Sequence, residues 1–439
     1  MKLQRLTLLG MMLALLLLVG ACGSDDESGS AGTTAGETTS NVSGSISVIG
    51  VWTGPEQQSF QAVINGFTAK NPDVKVKYTS GGDNIVTVLS TAVEGGNPPD
   101  IATVSQPGTM ADFVSRDALK PLDFAKADVT ENFGPSIVDI GSVDSKLYGL
   151  LFKAANKSTV WYNVAAFKDA GVEAPKTWDE FLAAAKTINA SGLPAYSIGG
   201  ADGWTLTDLF ENIYVQTAGP ETYDKLAKHE IPWTDQSVKD ALTEMAKVVG
   251  DTANIAGGEA GALQTDFPTS VSAVFSKTPK AAMVLEGDFV PGVAGDKNPL
   301  EPETGFNVFP FPKIGDAQTS VVGGGDLVVM FKSNPAAQAF VKYLTTPEAS
   351  EIWAKRGGFS SPNKNVPKSV YPDAIQRVTA GAIGDAQVFR FDLSDLQPSA
   401  FGGTVGQGLF KLFQDFLKNP SDIDGITQQM EAAAAKAYG

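Results

Sequence analysis

The chain has 439 residues and an acidic composition, with 33 Lys and Arg against 49 Asp and Glu and a formal net charge of −16. This balance argues against nucleic acid as a partner, because a phosphate backbone selects clustered positive charge. A hydrophobic fraction of 43% and a charged fraction of 19% are typical of a globular chain, and the length allows two or three domains. One cysteine and one histidine exclude a Cys/His zinc cage, a Cys-x-x-Cys redox pair and intramolecular disulfides.

The common catalytic signatures are also missing from the sequence. A Ser-His-Asp triad would depend on His229, and neither a G-x-S-x-G motif nor a phosphate-binding loop occurs. We therefore predict no catalytic residue, no metal site and no cofactor, and interpret the chain as a non-enzyme. The many carboxylates could still supply the acid/base pair of an exported glycoside hydrolase, so that alternative stays open.

The first residues have the pattern of a secretory signal peptide. Lys2 and Arg5 precede an apolar run at 6–19, which is shorter than the roughly 20 residues needed to span a bilayer. Small residues follow this run at the expected cleavage position. Residues 1–21 are therefore predicted to be a signal peptide.

Residues 19–22 read VGAC and resemble the lipobox of bacterial lipoproteins. This resemblance implies cleavage before Cys22 and acylation of its sulfur and new amino group, which would anchor the mature protein to a membrane. A free cysteine beside an ordinary cleavage site is the alternative. In the segment 23–44, 14 of 22 residues are Gly, Ser or Thr, so 22–44 is predicted to be a lipidated cysteine followed by a disordered tether.

Beyond the tether, the hydrophobic pattern is that of an α/β protein. Strand-like stretches at 46–52 and 74–78 enclose a helical repeat of apolar residues at 60–67, and 101–104 reads as a third strand. The order strand, helix, strand predicts a parallel α/β layer.

Three later helix starts carry recognisable caps. The sequence TWDE at 177–180 predicts a capping box, and Asn334 and Thr346 are each followed by a proline suited to the first helical position. We interpret these features as structural devices without a functional role.

Segments along the whole chain after the tether resemble the family 1 extracellular solute-binding proteins of bacterial ABC importers. They are FTAKNPDV at 67–74, GNPPDI at 96–101, LKPLD at 119–123, WYN at 161–163 and PKTWDE at 175–180. Further stretches resemble the α-glucoside importers within that family, namely TAGPETYDK at 217–225, HEIP at 229–232, and SPNKNVP at 361–367 leading to FRFD at 389–392.

The resemblance implies an α/β, two-lobed periplasmic-binding-protein fold of type II, with a ligand cleft between the lobes. By this analogy residues 45–155 and 319–365 form the first lobe. Residues 156–318 and the C-terminal helices of 366–439 form the second.

The resemblance also implies a function in transport. The protein would capture a carbohydrate, an α-glucoside disaccharide such as trehalose, sucrose or maltose, by hinge closure and deliver it to the permease subunits of an ABC importer. An oligosaccharide, a glycerol phosphodiester or a polyamine is the alternative solute. We expect a monomer that contacts the cell membrane only through its lipid and faces the extracellular or periplasmic side.

A sugar site needs aromatic platforms for the C–H faces of a ring and polar groups for its hydroxyls. The platform candidates are Trp52, which ends the first strand, Trp204 and Phe289. The resemblance places Phe289 in the cleft, at a position where the family commonly carries Trp. Packing of Trp52 beneath the following turn is the alternative interpretation.

Carboxylates from four positions are the candidate hydroxyl acceptors. Asp83 lies in a glycine-containing loop, where a helix N-cap is the alternative role. Glu286 and Asp288 flank the glycine before Phe289. Asp326 follows three glycines at a predicted crossing between the lobes, where the glycines could serve the hinge.

Arg390 and Asp392 alternate along the sequence FRFD, which predicts that both side chains lie on one face of a strand. There they could clamp neighbouring hydroxyls of a sugar or simply pair with each other. Lys153 and Arg390 are the basic residues available for an anionic solute.

Overall fold

The computed structural model describes residues 42–295 and 299–439. The predicted signal peptide, the candidate lipidation site Cys22 and most of the tether lie outside the described residues. Within the described ranges, no helix is both long enough and apolar enough to cross a membrane.

Twelve strands, mostly short, can be followed through the described ranges. In chain order, β1 to β12 span Gly44–Gly50, Val74–Ser80, Ile101–Val104, Ser142–Val143, Lys146–Leu147, Gly149–Asn156, Thr159–Asn163, Tyr196–Ser197, Met283–Leu285, Phe306–Pro310, Ser320–Met330 and Val388–Phe391.

The same ranges contain twenty α-helices. In chain order, α1 to α20 span Gly54–Lys70, Ile85–Glu94, Pro107–Ser115, Lys126–Asn132, Pro135–Ile140, Val164–Ala170, Trp178–Ala190, Trp204–Thr217, Pro220–Ala227, Gln236–Val249, Gly258–Ala262, Phe267–Val274, Val290–Ala294, Pro335–Leu344, Pro347–Ala354, Ala374–Asp385, Leu393–Leu396, Ser399–Gly402, Gly408–Lys418 and Ile423–Tyr438.

The first sheet contains the predicted parallel layer. Its strands lie in the order β12, β11, β3, β1, β2, and β6 also pairs with β11. Strand β1 is parallel to both β2 and β3, which confirms the order read from the sequence. Helix α1 covers this sheet with Phe60, Val63, Ile64 and Phe67, all of them buried, so its helical repeat is the face toward the core.

A second sheet, in the order β10, β7, β9, β8, has a core of its own. Val160 of β7 and Met283 of β9 pack there with Phe181 of α7 and Phe210 of α8. Strand β8 is parallel to β9, whereas β7 is antiparallel to both β9 and β10.

The antiparallel pair of β6 and β11 connects the two cores. Val328 and Met330 of β11 pack into the core beside β1, whereas Val322 packs into the core beside β7. The glycines at 323–325 lie between these two ends of the strand. Strand β12 pairs with the beginning of β11, and its Val388 also joins the second core. The lobe boundaries given above stay predictions.

The predicted helix caps are confirmed. The Thr177 hydroxyl accepts a hydrogen bond from the Glu180 backbone N–H at 3.3 Å, and the Glu180 carboxylate accepts one from the Thr177 N–H at 3.1 Å. Asn334 and Thr346 accept the corresponding bonds at the starts of α14 and α15. The described local structure thus follows short-range signals in the sequence.

Replacement of Thr177 by Ala is expected to lower the free energy of unfolding by about 1 kcal/mol, because the first turn of α7 loses its cap. Urea unfolding followed by circular dichroism measures this change. Thr187, whose hydroxyl bonds to the Ala183 carbonyl within the same helix, provides the control. Thr187→Ala should change stability by less than about 0.5 kcal/mol; equal losses in both variants would contradict the role of the cap.

Candidate functional site

A cavity of about 230 Å³ lies between the elements of the two sheets. Trp52, Asp83 and Asp326 line it from the side of the first sheet, and Trp204 and Phe289 line it from the side of the second. The structure therefore brings five of the nine candidate binding residues together at one cavity.

Three rings form an aromatic wall along one side of this cavity. Trp204 begins α8 and Phe267 begins α12, and their ring centroids are 4.9 Å apart. The Phe289 ring lies 5.5 Å from Phe267 and 6.2 Å from Trp204. A Cβ added to Gly287 would lie 2.3 Å from the Phe289 ring, so only glycine lets this ring fold back over the chain. Sequence reasoning missed Phe267, whose position at the start of a helix is its one local signal.

Asp326 faces this wall with both carboxylate oxygens held in place. The Trp52 indole N–H donates to Oδ2 at 2.6 Å, and the Ser105 hydroxyl donates to Oδ1 at 2.7 Å. Each oxygen retains a second lone pair for a ligand donor.

Trp52 itself offers little surface to a ligand. Its side chain is 1% exposed, and its ring packs 4.5 Å from Phe60 and 4.8 Å from Trp353, measured between centroids. This arrangement matches packing beneath the turn, with the indole N–H orienting Asp326.

A buried ion pair between Lys153 and Glu56 lies beside Asp326. Lys153 Nζ is 2.5 Å from Glu56 Oε1 and 5.1 Å from the Phe289 ring centroid. Burial raises the pKa of Glu56, although Lys153 opposes this shift. Burial also lowers the pKa of Lys153, but the carboxylates of Glu56 and Asp326 outweigh it and raise the pKa above its usual value. Lys153 is therefore charged and already paired with Glu56. Sequence reasoning missed Glu56, which lies in the first turn of α1.

Asp83 borders the cavity opposite Trp204. It lies in a short turn before α2, whose N-cap is Asn84, so the capping role considered for Asp83 is not observed. Burial raises the pKa of the Asp83 carboxyl group, and the nearby Trp204 indole opposes this shift. These two candidates thus approach each other from different sheets.

Glu286 and Asp288 do not line this cavity. Glu286 is 1% exposed and borders a separate pocket of about 30 Å³ together with Tyr196. Asp288 accepts a hydrogen bond from the Ser360 hydroxyl at 2.5 Å and is 3% exposed. Their assignment to the ligand stays a prediction.

Arg390 and Asp392 also lie away from the cavity lining, and they do not share a strand face. Strand β12 ends at Phe391, and Asp392 caps α17, so the expected alternation is interrupted one residue early. Arg390 Nε is 2.6 Å from Asp224 Oδ1, which corrects the proposed pairing of Arg390 with Asp392.

Lys157 is the centre of a buried polar cluster next to the cavity. Its Nζ donates to Asp392 Oδ2 at 2.6 Å and Asp208 Oδ1 at 3.1 Å, and lies 3.9 Å from Asp395 Oδ2. Burial lowers the pKa of Lys157, but these carboxyl groups raise it well above its usual value. Burial raises the pKa of Asp208 to about 8. Lys157 and Asp395 both line the cavity, and sequence reasoning missed both of them.

Stability is expected to decrease as the pH rises from about 4 to about 7, and Asp288 contributes to this trend. Burial raises the pKa of Asp288 to about 7 from an ordinary value of 3.8. Between these values the native state keeps a proton that the unfolded chain releases, so the free energy of unfolding falls with rising pH. Asp288→Asn should remove this contribution, which amounts to about 4 kcal/mol over the whole interval.

Urea unfolding at pH 4.5, 6 and 7.5 measures the effect. Asp316→Asn, at an exposed loop position, serves as the control and should keep the wild-type pH dependence. An Asp288→Asn variant with that same dependence would show that the Asp288 carboxyl is not the titrating group.

Comparisons with known proteins agree with this architecture. A family model described as bacterial extracellular solute-binding protein matches residues 52–351. The alpha-glucosides-binding periplasmic protein AglE of Rhizobium meliloti is 34% identical over 393 residues, covering 86% of this chain and 84% of AglE. The osmoprotective compounds-binding protein GgtB of Synechocystis sp. is 32% identical over 376 residues, covering 83% of this chain and 87% of GgtB.

Solved structures share the fold at lower identity. The bacterial solute receptor AcbH, described as having an exclusive substrate preference for β-D-galactopyranose, matches with a TM-score of 0.79 at 20% identity. The match covers 90% of this chain and 99% of AcbH. Such neighbours confirm the expected two-lobed α/β fold. Since the family model spans more than half of the sequence and both relatives extend over most of it, the chain belongs to the bacterial extracellular solute-binding proteins.

Proposed function

We propose that the protein captures a neutral carbohydrate, in particular an α-glucoside disaccharide such as trehalose, sucrose or maltose, for an ABC importer. The observation that carries the proposal is a single cavity with an aromatic wall on one side and carboxylates on the other. Trp204, Phe267 and Phe289 form the wall, and Asp326 and Glu56 lie opposite.

This combination suits the two kinds of surface that a sugar presents. The C–H faces of a pyranose ring pack on aromatic rings, and its hydroxyls donate to carboxylates. Asp326 is well prepared as an acceptor, because Trp52 and Ser105 fix its orientation before a ligand arrives.

The relatives support a solute of this class. AglE is named for α-glucosides and GgtB for osmoprotective compounds. The sn-glycerol-3-phosphate-binding protein UgpB of Escherichia coli is also similar, over 33% of this chain. In this cavity, however, the two lining lysines already face carboxyl groups, which favours a neutral solute over a phosphate ester.

Transport by this protein would depend on movement of the two lobes about β6 and β11. Helices α1 and α13, which the predicted boundaries assign to different lobes, approach each other beyond the cavity: a Cβ added to Gly295, after α13, would lie 2.6 Å from Pro55 Cγ at the start of α1. A sugar that contacts both sides shifts the population toward such a closed form, which the permease then recognises. The protein would act as a lipid-anchored monomer on the outer side of the membrane, and it would release its ligand chemically unchanged.

Truncation of the aromatic wall is expected to weaken sugar binding. Trp204→Ala and Phe289→Ala should each reduce affinity for trehalose, sucrose or maltose by roughly 10- to 100-fold in titration calorimetry, because the ring loses a packed platform. Phe289→Trp keeps the platform and should retain binding. Unchanged affinity in both alanine variants would exclude this cavity as the site.

The same samples distinguish a binding protein from a glycoside hydrolase. Purified protein incubated with each disaccharide should release no glucose, as measured by a coupled glucose assay. Sustained glucose release would support the hydrolase instead.

Lipidation is tested at Cys22. In a bacterial host fed labelled palmitate, the wild-type chain should incorporate label and Cys22→Ser should not, because serine lacks the acylated sulfur. Ser24→Ala, two residues further on, should be labelled like the wild type. Label in the Cys22→Ser variant would contradict the lipobox interpretation.

A further inference from the structure

We infer that Ser360 and Gly358 are positioning residues for solute binding, because they hold the segment 286–295, which carries Phe289, against the first sheet. Neither residue lines the cavity, so both act on a ligand only through the Phe289 ring. The inference rests on the proposed function and deepens it, since it states how a platform supplied by the second sheet is fixed relative to Asp326 on the first.

The segment 286–295 leaves the second sheet directly after β9. The Glu286 backbone N–H donates a hydrogen bond to the Thr159 carbonyl at 3.1 Å. Two residues later, the Asp288 backbone N–H donates to the Asn156 carbonyl at 2.9 Å. The segment then forms α13, which has only five residues. A helix this short is not stable by itself, so its position depends on the surfaces that it contacts.

The first contact is the buried hydrogen bond from the Ser360 hydroxyl to Asp288 Oδ2 at 2.5 Å. Ser360 is attached to the first sheet, because its carbonyl accepts a hydrogen bond from the Ala154 N–H of β6 at 2.9 Å. The preceding Phe359 ring stacks 5.3 Å from Trp353 in the core beside β1. The bond therefore ties the segment to the framework of the first sheet, and its loss would leave a buried carboxyl oxygen without a donor.

The second contact joins two glycines, Gly292 of α13 and Gly358 of the loop after α15. A Cβ added to Gly358 would lie 2.3 Å from Gly292 Cα, and one added to Gly292 would lie 2.7 Å from Gly358 Cα. The two backbones therefore touch without a side chain between them. The φ of Gly358 is +63°, which favours glycine. The Phe289 carbonyl oxygen would lie 3.1 Å from the Cβ added to Gly358, so this contact reaches the platform residue itself.

The two contacts lie on either side of Phe289 in the sequence. Asp288 precedes the ring and Gly292 follows it, so the segment is attached to the first sheet both before and after the platform. The ring itself meets the first sheet at Lys153 of β6, whose ammonium is 5.1 Å from the ring centroid. A binding group must be held within about 0.5 Å of its productive position, and these attachments restrict the ring before a ligand arrives.

Removal of the Ser360 hydroxyl tests the first contact. Ser360→Ala should weaken binding of trehalose, sucrose or maltose by at least about fivefold in calorimetry, because the platform loses one of its attachments. Asp288→Asn should bind within about threefold of wild type, since its amide oxygen can still accept from Ser360. Ser361→Ala is the control, because the Ser361 hydroxyl accepts from the Asn363 N–H within its own loop. It should bind within about twofold of wild type.

Substitution of Gly358 tests the second contact. Gly358→Ala should weaken binding by at least about tenfold, because the added methyl group would push α13 away from the loop. Gly171→Ala is a matched control for backbone strain. Gly171 has a φ of +67°, and a Cβ added there meets nothing within 4 Å. This variant should therefore bind within about twofold of wild type.

A double-mutant cycle separates positioning of the ring from a general structural role. Once Phe289→Ala has removed the ring, addition of Ser360→Ala should weaken binding by less than about twofold more. A further fivefold loss in that background, or wild-type affinity in both Ser360→Ala and Gly358→Ala, would overturn the inference and leave the proposed function intact. Thermal unfolding identifies misfolded variants, and Gly358→Ala carries the cycle if Ser360→Ala does not fold. If wild-type protein binds none of these sugars, the proposed function is wrong and the inference with it.

Discussion

The ammonium group of Lys157 joins three parts of the chain that are far apart in sequence. Lys157 directly follows β6, and its ammonium group donates to Asp208 of α8 and to Asp392, which caps α17. The Lys157 backbone N–H also donates to the Val322 carbonyl of β11 at 2.8 Å. Removal of one member of a buried ion pair strongly destabilises a protein, because the remaining charge is left buried without compensation. The connection between the two cores, and with it one end of the cavity, therefore depends on this side chain.

The carboxyl groups around Lys157 outnumber it, which has a consequence for their protonation. Glu211 accepts hydrogen bonds from the backbone N–H groups of Leu393 and Ser394, and burial raises its pKa well above the usual value. The pKa of Asp392 is lowered instead, because the contacts with Lys157 outweigh its burial. One ion pair thus remains charged while its neighbours retain protons. The number of buried carboxyl groups is therefore larger than the negative charge that they carry.

The local structure was largely predictable from the sequence, whereas much of the site was not. The strands before and after α1, and the capping box at Thr177, depend on neighbouring residues and are confirmed. Lys157 and Asp395 meet only after more than 200 residues have folded between them, and no periodicity or motif announces such a contact. The predicted pairing of Arg390 with Asp392 was wrong for the same reason, because the actual partner, Asp224, lies on another element. Phe289 lines the cavity, in agreement with the position that the family resemblance implied.

The tryptophans of this chain differ sharply in their surroundings. Five of the six are at most 3% exposed and are fixed in the cores, among them Trp52 in its hydrogen bond to Asp326. Trp204 is partly exposed at the cavity, next to the Lys157 ammonium and the Asp83 carboxylate. Under the proposed function, a solute in this cavity would change the surroundings of the Trp204 indole directly. The natural emission of the chain would then combine a background from the tryptophans in the cores with a component from Trp204 that reports occupancy of the cavity.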